Sequence, residues 1–320
     1  MAAFSQFIAV SRLAALEAVR RPVFLLVALF VLAGIVLMPF LLNYTLGDSA
    51  RIVRDSDLAL YFVGGLLLAA VSAGETISGE LRRGTAANVL SKPISRSVFF
   101  LAKAGGIVAA LALFSVAALA ATLLSVRAGA SDLRLDGSAA FPALLAILLA
   151  LAVAGAWNHR TRRPFSSAAF FLLLTFLLVA VAVSACFQTP FDRLGFPDNF
   201  SWPMLSVGFL LFLCLAMAAA LASALATRLP VTPVLLLCAG LFLFGLMADY
   251  LLGPRMDTSF LARAVYAVLP NVQAFWLLDA LDAVHSIPPA YLGLATAYAS
   301  AWSAVALALG LVSFHALEIS

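Results

Sequence analysis

Residues 22–42 read "PVFLLVALFVLAGIVLMPFLL", an apolar run without a charged side chain. A membrane-spanning helix needs about 20 apolar residues, whereas the core of a signal peptide has about 7 to 15. The length of this run therefore predicts a transmembrane helix rather than a cleaved signal.

The composition of the whole chain agrees with this first run. Hydrophobic residues make up 64% of the 320 residues, charged residues make up 11%, and the mean hydropathy is +1.10. A soluble domain is about half apolar and about a quarter charged. A water-soluble fold cannot hide so much apolar surface, but a bundle of helices in lipid can expose it. We predict an all-α, polytopic integral membrane protein in which residues 1–320 form one transmembrane domain.

Eight apolar runs have spanning length, and each is predicted to be a transmembrane helix. The shortest interruption is "TRLP" (227–230), which must form a tight turn if the count is correct. The predicted spans are 22–43, 57–74, 98–125, 139–156, 165–187, 204–226, 231–251 and 289–314.

The distribution of Lys and Arg predicts the orientation. With the N-terminus inside and eight spans, the inside segments hold twelve of the 19 basic residues and four acidic ones. The outside segments hold the other seven basic residues and all eleven aspartates. Because Lys and Arg are enriched in cytoplasmic loops, we expect both termini in the cytoplasm.

Two segments look membrane-associated without spanning. Residues 1–21 are moderately amphipathic and end in two arginines, so we interpret them as an interfacial helix, with a plain basic flank as the equal alternative. Residues 253–288 lie outside in this threading and contain apolar pieces that are too short to span. They are predicted to be a re-entrant or interfacial segment.

Several classes of function lose support. The chain has no GxxxxGK[ST], HExxH or GxSxG motif and no CxxC pair, so we expect no enzyme activity, cofactor or metal in it. Its basic residues flank apolar runs, which argues against nucleic acid as a partner. No ionisable residue falls near the middle of a predicted span, which counts against an ion-coupled carrier.

One interruption, residues 75–103, is unusually rich in polar signals: "ETISGELRRGTAANVLSKPISRSVFFLAK". Gly84 can end a helix and Thr85 can cap the next one. Pro93 imposes a turn, and Ser95 is placed to cap the third span. This pattern indicates a rigid charged protrusion on the inner face, and the alternative is an ordinary solvated basic loop.

The same residues resemble ABC-2 type transport permeases, at the spacing E-x3-GT-x4-LS-x-P-x-SR-x6-K. The segments "RLAALEAVRRPVF" (12–24) and 269–298 also resemble that family, the latter its members named for multicopper enzyme maturation. The family core has six spans, so the eight predicted here include one extra pair. The matching residues are Glu80, Gly84, Thr85, Leu90, Ser91, Pro93, Ser95, Arg96 and Lys103.

The resemblance implies a division of labour between subunits. Residues 75–97 would form a coupling helix that docks on a separate cytoplasmic ATPase, which binds ATP and Mg²⁺. Two permease copies or homologues would form an export path across a bacterial cytoplasmic (inner) membrane. By this resemblance Glu80, Arg83 and Arg96 contact the ATPase and Lys103 anchors the third span, while Gly84, Thr85, Pro93 and Ser95 shape the protrusion.

Two other classes of function stay open. One is an ion-coupled or facilitative carrier, and the other is a non-transporting membrane scaffold or assembly factor that uses the same basic loops to recruit partners.

Overall fold

The structure is a computed structural model that describes residues 2–42, 49–82, 95–129, 135–162, 164–186, 200–255, 259–277 and 287–316. Within these ranges the regular structure is entirely helical, without a strand. The all-α prediction is confirmed for this part of the chain.

Twelve α-helices follow one another along the described residues. Between α3 and α4 the helix passes through a π-helical turn, Gly74–Ser78. The helices are α1 (Ala2–Arg20), α2 (Pro22–Leu41), α3 (Ser49–Ala73), α4 (Gly79–Arg82), α5 (Arg96–Ala128), α6 (Gly137–Thr161), α7 (Phe165–Ala185), α8 (Met204–Leu225), α9 (Val231–Leu246), α10 (Ala248–Leu252), α11 (Phe260–Val268) and α12 (Pro289–His315).

Local capping explains where several helices begin and end. Pro22 occupies the first turn of α2, where its missing N–H costs nothing. The side chain of Asp136 caps α6 by accepting a hydrogen bond from the backbone N–H of Ser138, and α6 ends at Arg162 in a left-handed conformation (φ 55°). Ser259 caps α11 in the same way as Asp136 caps α6.

Seven helical stretches are long and apolar enough to cross a membrane, counted over the described residues. An eighth, the pair α9 and α10, qualifies only as a bent unit, since the two parts meet at 62°. The protein is therefore a multi-pass membrane protein, with seven or eight candidate spans in the part of the chain that the structure describes. The seven are Pro22–Leu41, Ser49–Arg82, Arg96–Ala128, Gly137–Thr161, Phe165–Ala185, Met204–Leu225 and Pro289–His315.

The predicted span 231–251 differs from the structure because its helix is broken at Met247. The segment that follows α11 lies directly against this region. A Cβ atom on Gly245 would be 2.5 Å from the carbonyl oxygen of Pro270, so the glycine permits a contact that a larger residue would prevent. The helix changes direction two residues later.

The structure divides into two compact units, which we describe separately. Unit 1 comprises Met1–Ala15, Leu66–Leu111 and Phe209–Ser320, and unit 2 comprises Leu16–Gly65 and Ala112–Gly208. Small residues occupy many buried positions, including Ala218, Ala219, Ala220 and Ala222 of α8. Small side chains let helix backbones approach closely in a membrane, where van der Waals packing drives association.

In unit 1, the ends of several helices lie together. The hydroxyl of Ser97 is 3.0 Å from Nε2 of His315, and Arg228 donates to Ser313 at 3.0 Å. The "TRLP" turn is confirmed, with Leu229 N–H bonded to the carbonyl of Leu225. The start of α5, the turn after α8 and the end of α12 therefore share one end of the unit, as the threading requires.

The stretch after α11 runs along α12 in the opposite direction. Trp302 Nε1 donates to the carbonyl of Val268, the N–H of Asn271 donates to Tyr298, and Tyr291 donates to the carbonyl of Ala274. Tyr291 and Trp302 are separated by about 16 Å along a helix. The stretch thus follows α12 from near its start to its middle, while the re-entrant or interfacial nature of 253–288 stays a prediction.

Candidate functional site

The two ends of the segment that carries the family resemblance are joined by an ion pair. Glu80 lies in α4 and Lys103 lies in the second turn of α5, and the Lys103 ammonium group binds Oε1 of Glu80. Only 6% of the Lys103 side chain and 17% of the Glu80 side chain are exposed. Burial makes this contact matter more than a surface pair, because removing one partner would leave a charge in a poorly solvated place.

Aromatic packing surrounds the lysine. Nζ of Lys103 is 5.7 Å from the ring centre of Phe99, within the range of a cation–π contact. The rings of Phe99 and Phe100 stack on Phe314 of α12, with centroids 6.1 and 5.7 Å apart. The ion pair is therefore held between α4, the start of α5 and the end of α12.

A π-helical turn leads directly into Glu80. Gly74, its first residue, lies against Val231 at the start of α9. Thr76 is fully buried, and its hydroxyl has no hydrogen-bond partner among the described residues. π-Helical turns are rare and often occur at functional sites. The helix that carries Glu80 is thus irregular where it meets α9.

The N-terminal helix packs on α5 one turn beyond Lys103. A Cβ atom on Gly106 would lie 2.5 Å from the backbone oxygen of Ser11 and 2.6 Å from Cβ of Ala14. Only glycine allows this approach without a shift of one helix. The buried pair, the start of α5 and residues 11–15 of α1 therefore form one packed region within unit 1.

The structure places some of the predicted coupling residues and not others. Ser95 accepts a hydrogen bond from the N–H of Val98 at 3.3 Å, as the predicted cap requires, and the half-buried Arg96 begins α5. Arg83, Gly84, Thr85, Leu90, Ser91 and Pro93 lie outside the described residues.

The structure gives Glu80 and Lys103 a common surrounding that the sequence did not indicate. Lys103, expected to anchor the third span, is 5% exposed and paired inside the chain. Glu80, expected at a partner surface, directs a carboxylate oxygen to Lys103. The structure brings these two residues together and thereby closes the base of the 80–103 segment.

A second polar cluster, in unit 2, is centred on Arg127. Its Nε binds Asp136 Oδ2 at 3.0 Å, Nη2 donates to Ser138 Oγ at 2.7 Å, and Nη1 donates to the carbonyl of Ser184. The guanidinium lies 5.3 Å from the ring centre of Phe200. One arginine thereby connects the end of α5, the start of α6, the end of α7 and the segment before α8.

Asp57, also in unit 2, is fully buried in α3. The Ser125 hydroxyl is the polar group beside it. The two do not meet hydrogen-bond geometry, and neither has a partner among the described residues. Asp57 and Lys103 are thus buried ionisable side chains in helices that can span a membrane, and each lies nearer to the start of its helix than to the middle.

The sequence contained a signal for Asp57 that hydropathy alone misses. Val53, Leu58 and Tyr61 are buried on the inner face of α3, and Asp57 lies on that face at helical spacing. Arg51 and Asp55, which form an i,i+4 ion pair at 3.8 Å, lowered the hydropathy of this stretch and placed it in a predicted loop.

Comparisons of the chain with protein-family models, with curated proteins and with solved structures found no match. The resemblance to ABC-2 type permeases therefore rests on the spacing of residues 80–103 and on the flanking sequence. The function is inferred below from that spacing and from the geometry of the site.

Proposed function

We propose that the chain is the membrane subunit of an ATP-driven ABC transporter of the ABC-2 type, in a bacterial cytoplasmic membrane. The observation that supports the proposal most directly is the Glu80–Lys103 ion pair. Its two members are the first and last residues of the family-like pattern, 23 positions apart, and they meet in a largely buried contact.

The ion pair offers a physical route for coupling. A loop that is attached to two independent helices absorbs a push by bending. When the ion pair holds α4 and the start of α5 together at the base of the loop, a force on the loop moves both helices. A partner that grips residues 83–94 would therefore act on α4 and α5 together.

The work would be divided between subunits. A cytoplasmic ATPase with its own P-loop would bind ATP and Mg²⁺ and would move the coupling segment. Two copies of this chain, or one copy and a homologue, would enclose the substrate path. Export is the expected direction by analogy with the family.

The geometry refines the roles that the resemblance implies. Glu80 and Lys103 act as positioning residues that hold the coupling segment, while Arg83 and Arg96 remain the candidates for contact with the ATPase. Charge reversal affects a positioning residue and an ATPase-contacting residue differently, so the two roles can be separated by experiment.

The first test is the composition of the purified complex. The tagged chain, extracted from native membranes in mild detergent, is expected to bring a P-loop ATPase in stoichiometric amount, identified by mass spectrometry. Arg82→Gln is the matched control for the Glu80 variants described next, because Arg82 is an exposed charge in the same short helix as Glu80. A complex that repeatedly lacks any ATPase while the chain stays folded would overturn the proposal.

The second test is a charge swap. Glu80→Lys and Lys103→Glu each leave two like charges in a buried contact, so each is expected to abolish ATP-dependent transport while the chain still inserts. The double variant Glu80→Lys/Lys103→Glu restores opposite charges and should recover a large part of the activity. If the double variant is no better than the single ones, Glu80 acts on something other than Lys103.

A specific observation favours a second candidate, an ion-coupled carrier. Asp57 is a fully buried carboxylate in a spanning helix, and ionisable residues in such positions commonly belong to ion pathways. Under this alternative, Asp57→Asn stops transport without lowering stability, and collapsing the ion gradients stops transport even when ATP is present. Transport that continues on ATP alone would rule out this candidate.

A further inference from the structure

A groove of about 460 Å³ opens on unit 1 between α8, α9 and α12. Its walls are almost entirely apolar, and Leu225, Leu241 and Leu309 are among the residues that line it. Its volume is within the range of about 300 to 1,000 Å³ that is usual for ligand sites. Two polar residues, Arg228 and Ser313, also line it.

The groove has a polar end and an apolar end. Arg228 and Ser313 mark the first, where α8 and α12 end. Trp302 of α12 and Val268 of α11 mark the other, and they are joined by a hydrogen bond of 3.3 Å. Ser313 and Trp302 are eleven residues apart on one helix, which corresponds to about 16 Å along its axis.

This length matches one leaflet of a bilayer. The hydrocarbon core is about 30 Å thick, so a single leaflet contributes about 15 Å. The groove lies on helices that can span a membrane, with Arg228 beyond the last turn of α8. An acyl chain that starts at the headgroup level beside Arg228 would end near Trp302.

The guanidinium of Arg228 is held in place by Ser313, and no carboxylate of the described residues neutralises it. Its Nε donates to Ser313 Oγ at 3.0 Å and its Nη2 donates to the Ser313 carbonyl at 3.2 Å. Among the described residues, Nη1 has no hydrogen-bond partner and no carboxylate lies within ion-pair distance of this arginine. A fixed, exposed guanidinium is well suited to a phosphate group, which it can bind through two N–H donors.

We propose that this groove binds an anionic phospholipid. The phosphate of the headgroup binds Arg228, and one acyl chain occupies the groove as far as Trp302. The charge of Arg228 selects the anionic headgroup, and the apolar walls of the groove bind the acyl chain. The inference does not depend on the proposed function, since a carrier or a scaffold with this groove would bind the same lipid.

The experiment measures lipid retention by the purified full-length chain. The chain is equilibrated in detergent with phosphatidylglycerol and phosphatidylcholine of identical acyl chains, and the lipids that stay bound are counted by native mass spectrometry. Both headgroups offer a phosphate to Arg228, but the ammonium group of phosphatidylcholine cancels the net charge and is repelled by the guanidinium. We therefore expect the wild type to retain phosphatidylglycerol in preference to phosphatidylcholine by about 5-fold or more.

Two variants test the two halves of the site. Arg228→Gln removes the charge, and Val305→Trp fills the groove at an exposed position of α12 while leaving Arg228 intact. Both are expected to lose the preference for phosphatidylglycerol. Their controls are Arg160→Gln, an exposed charge at the end of α6, and Leu294→Trp, an exposed apolar position of α12 outside the groove, and both controls should behave like wild type.

Each contrary outcome overturns the proposal. Equal retention of the two lipids by the wild type would show that Arg228 selects no headgroup. Unchanged selectivity in Arg228→Gln or Val305→Trp would place the lipid elsewhere. Displacement of the lipid by millimolar inorganic phosphate would show that the acyl chain does not contribute to binding. If Arg228→Gln fails to fold, the comparison of Val305→Trp with Leu294→Trp decides the question.

Discussion

At the scale of single residues, the protein stabilises buried cations with several contacts at once. Lys103 has a carboxylate and an aromatic ring, and Arg127 has a carboxylate, a hydroxyl, a carbonyl and a ring. Multiple partners are needed because moving a charge out of water costs several kcal/mol that one contact rarely offsets. Such residues are costly to replace even when they have no direct part in transport.

Arg127 gives a prediction about stability. Arg127→Leu leaves the carboxylate of Asp136 without its cation and removes the link between α5, α6 and α7. The free energy of unfolding should therefore fall by about 3 to 5 kcal/mol. The measurement is reversible unfolding in mixed detergent micelles, followed by circular dichroism. Arg160→Gln, at an exposed site, should change stability by less than about 0.5 kcal/mol.

Arg127→Lys refines this prediction. Lysine keeps the charge but cannot reach Asp136, Ser138 and Ser184 simultaneously with a planar fork, so its stability should fall between those of wild type and Arg127→Leu. A lysine variant as stable as wild type would show that charge alone, without the fork geometry, connects the three helices.

At the scale of elements, the sequence predicted the helices better than their limits. Hydropathy located the spans to within a few residues, apart from the broken helix at 231–251 and the second span, which was predicted at 57–74 and extends over Ser49–Arg82. Its ends carry charges such as Arg51 and Glu80 that hydropathy treats as loop. These charges form ion pairs on or beside the helix, and pairing is invisible in a sum of single-residue values.

The candidate site was only partly predictable for the same reason. The spacing of residues 80–103 indicated a special segment and a cap at Ser95, both from local rules. That Glu80 and Lys103 meet could not be read from the sequence, since it depends on how α4 and α5 cross. The break at Met247 likewise lies beside a contact between residues distant in sequence, that of Pro270 with Gly245, which no local rule reveals.

Gly106 tests the packing of α1 on α5. Gly106→Ala puts a methyl group into a space that the backbone of Ser11 occupies, so it should destabilise the protein by about 1 to 3 kcal/mol. Gly155→Ala is the matched control, because a Cβ there meets no atom within 4 Å. That substitution should be neutral or stabilise by up to about 1 kcal/mol, since it restricts the unfolded chain.

A second readout localises the effect of Gly106→Ala. Displacement of α1 should expose Ala14, which is fully buried in the wild type, so a cysteine at position 14 would react with a maleimide faster in the Gly106→Ala background. Equal reaction rates in the two backgrounds would contradict the close packing of α1 on α5.

At the scale of the whole molecule, each unit groups helix ends as alternating spans would. In unit 1, Ser97 meets His315 and Arg228 meets Ser313. In unit 2, the hydroxyl of Ser49 binds the carbonyl of Gly129. In the predicted threading, the first group of ends is cytoplasmic and the second is external, because most Lys and Arg fall in the loops of the first.

This orientation can be measured with cysteines placed at exposed ends. In a Cys186→Ser background, only the two buried cysteines, Cys214 and Cys238, remain. They should not react with a maleimide. A membrane-impermeant maleimide is then expected to label Arg51→Cys in intact cells. It should label Arg160→Cys only after the membrane is permeabilised. The reverse pattern would invert the orientation and leave the proposed coupling segment on the wrong side for a cytoplasmic ATPase. Labelling of both positions from one side would contradict the alternation of the spans between them.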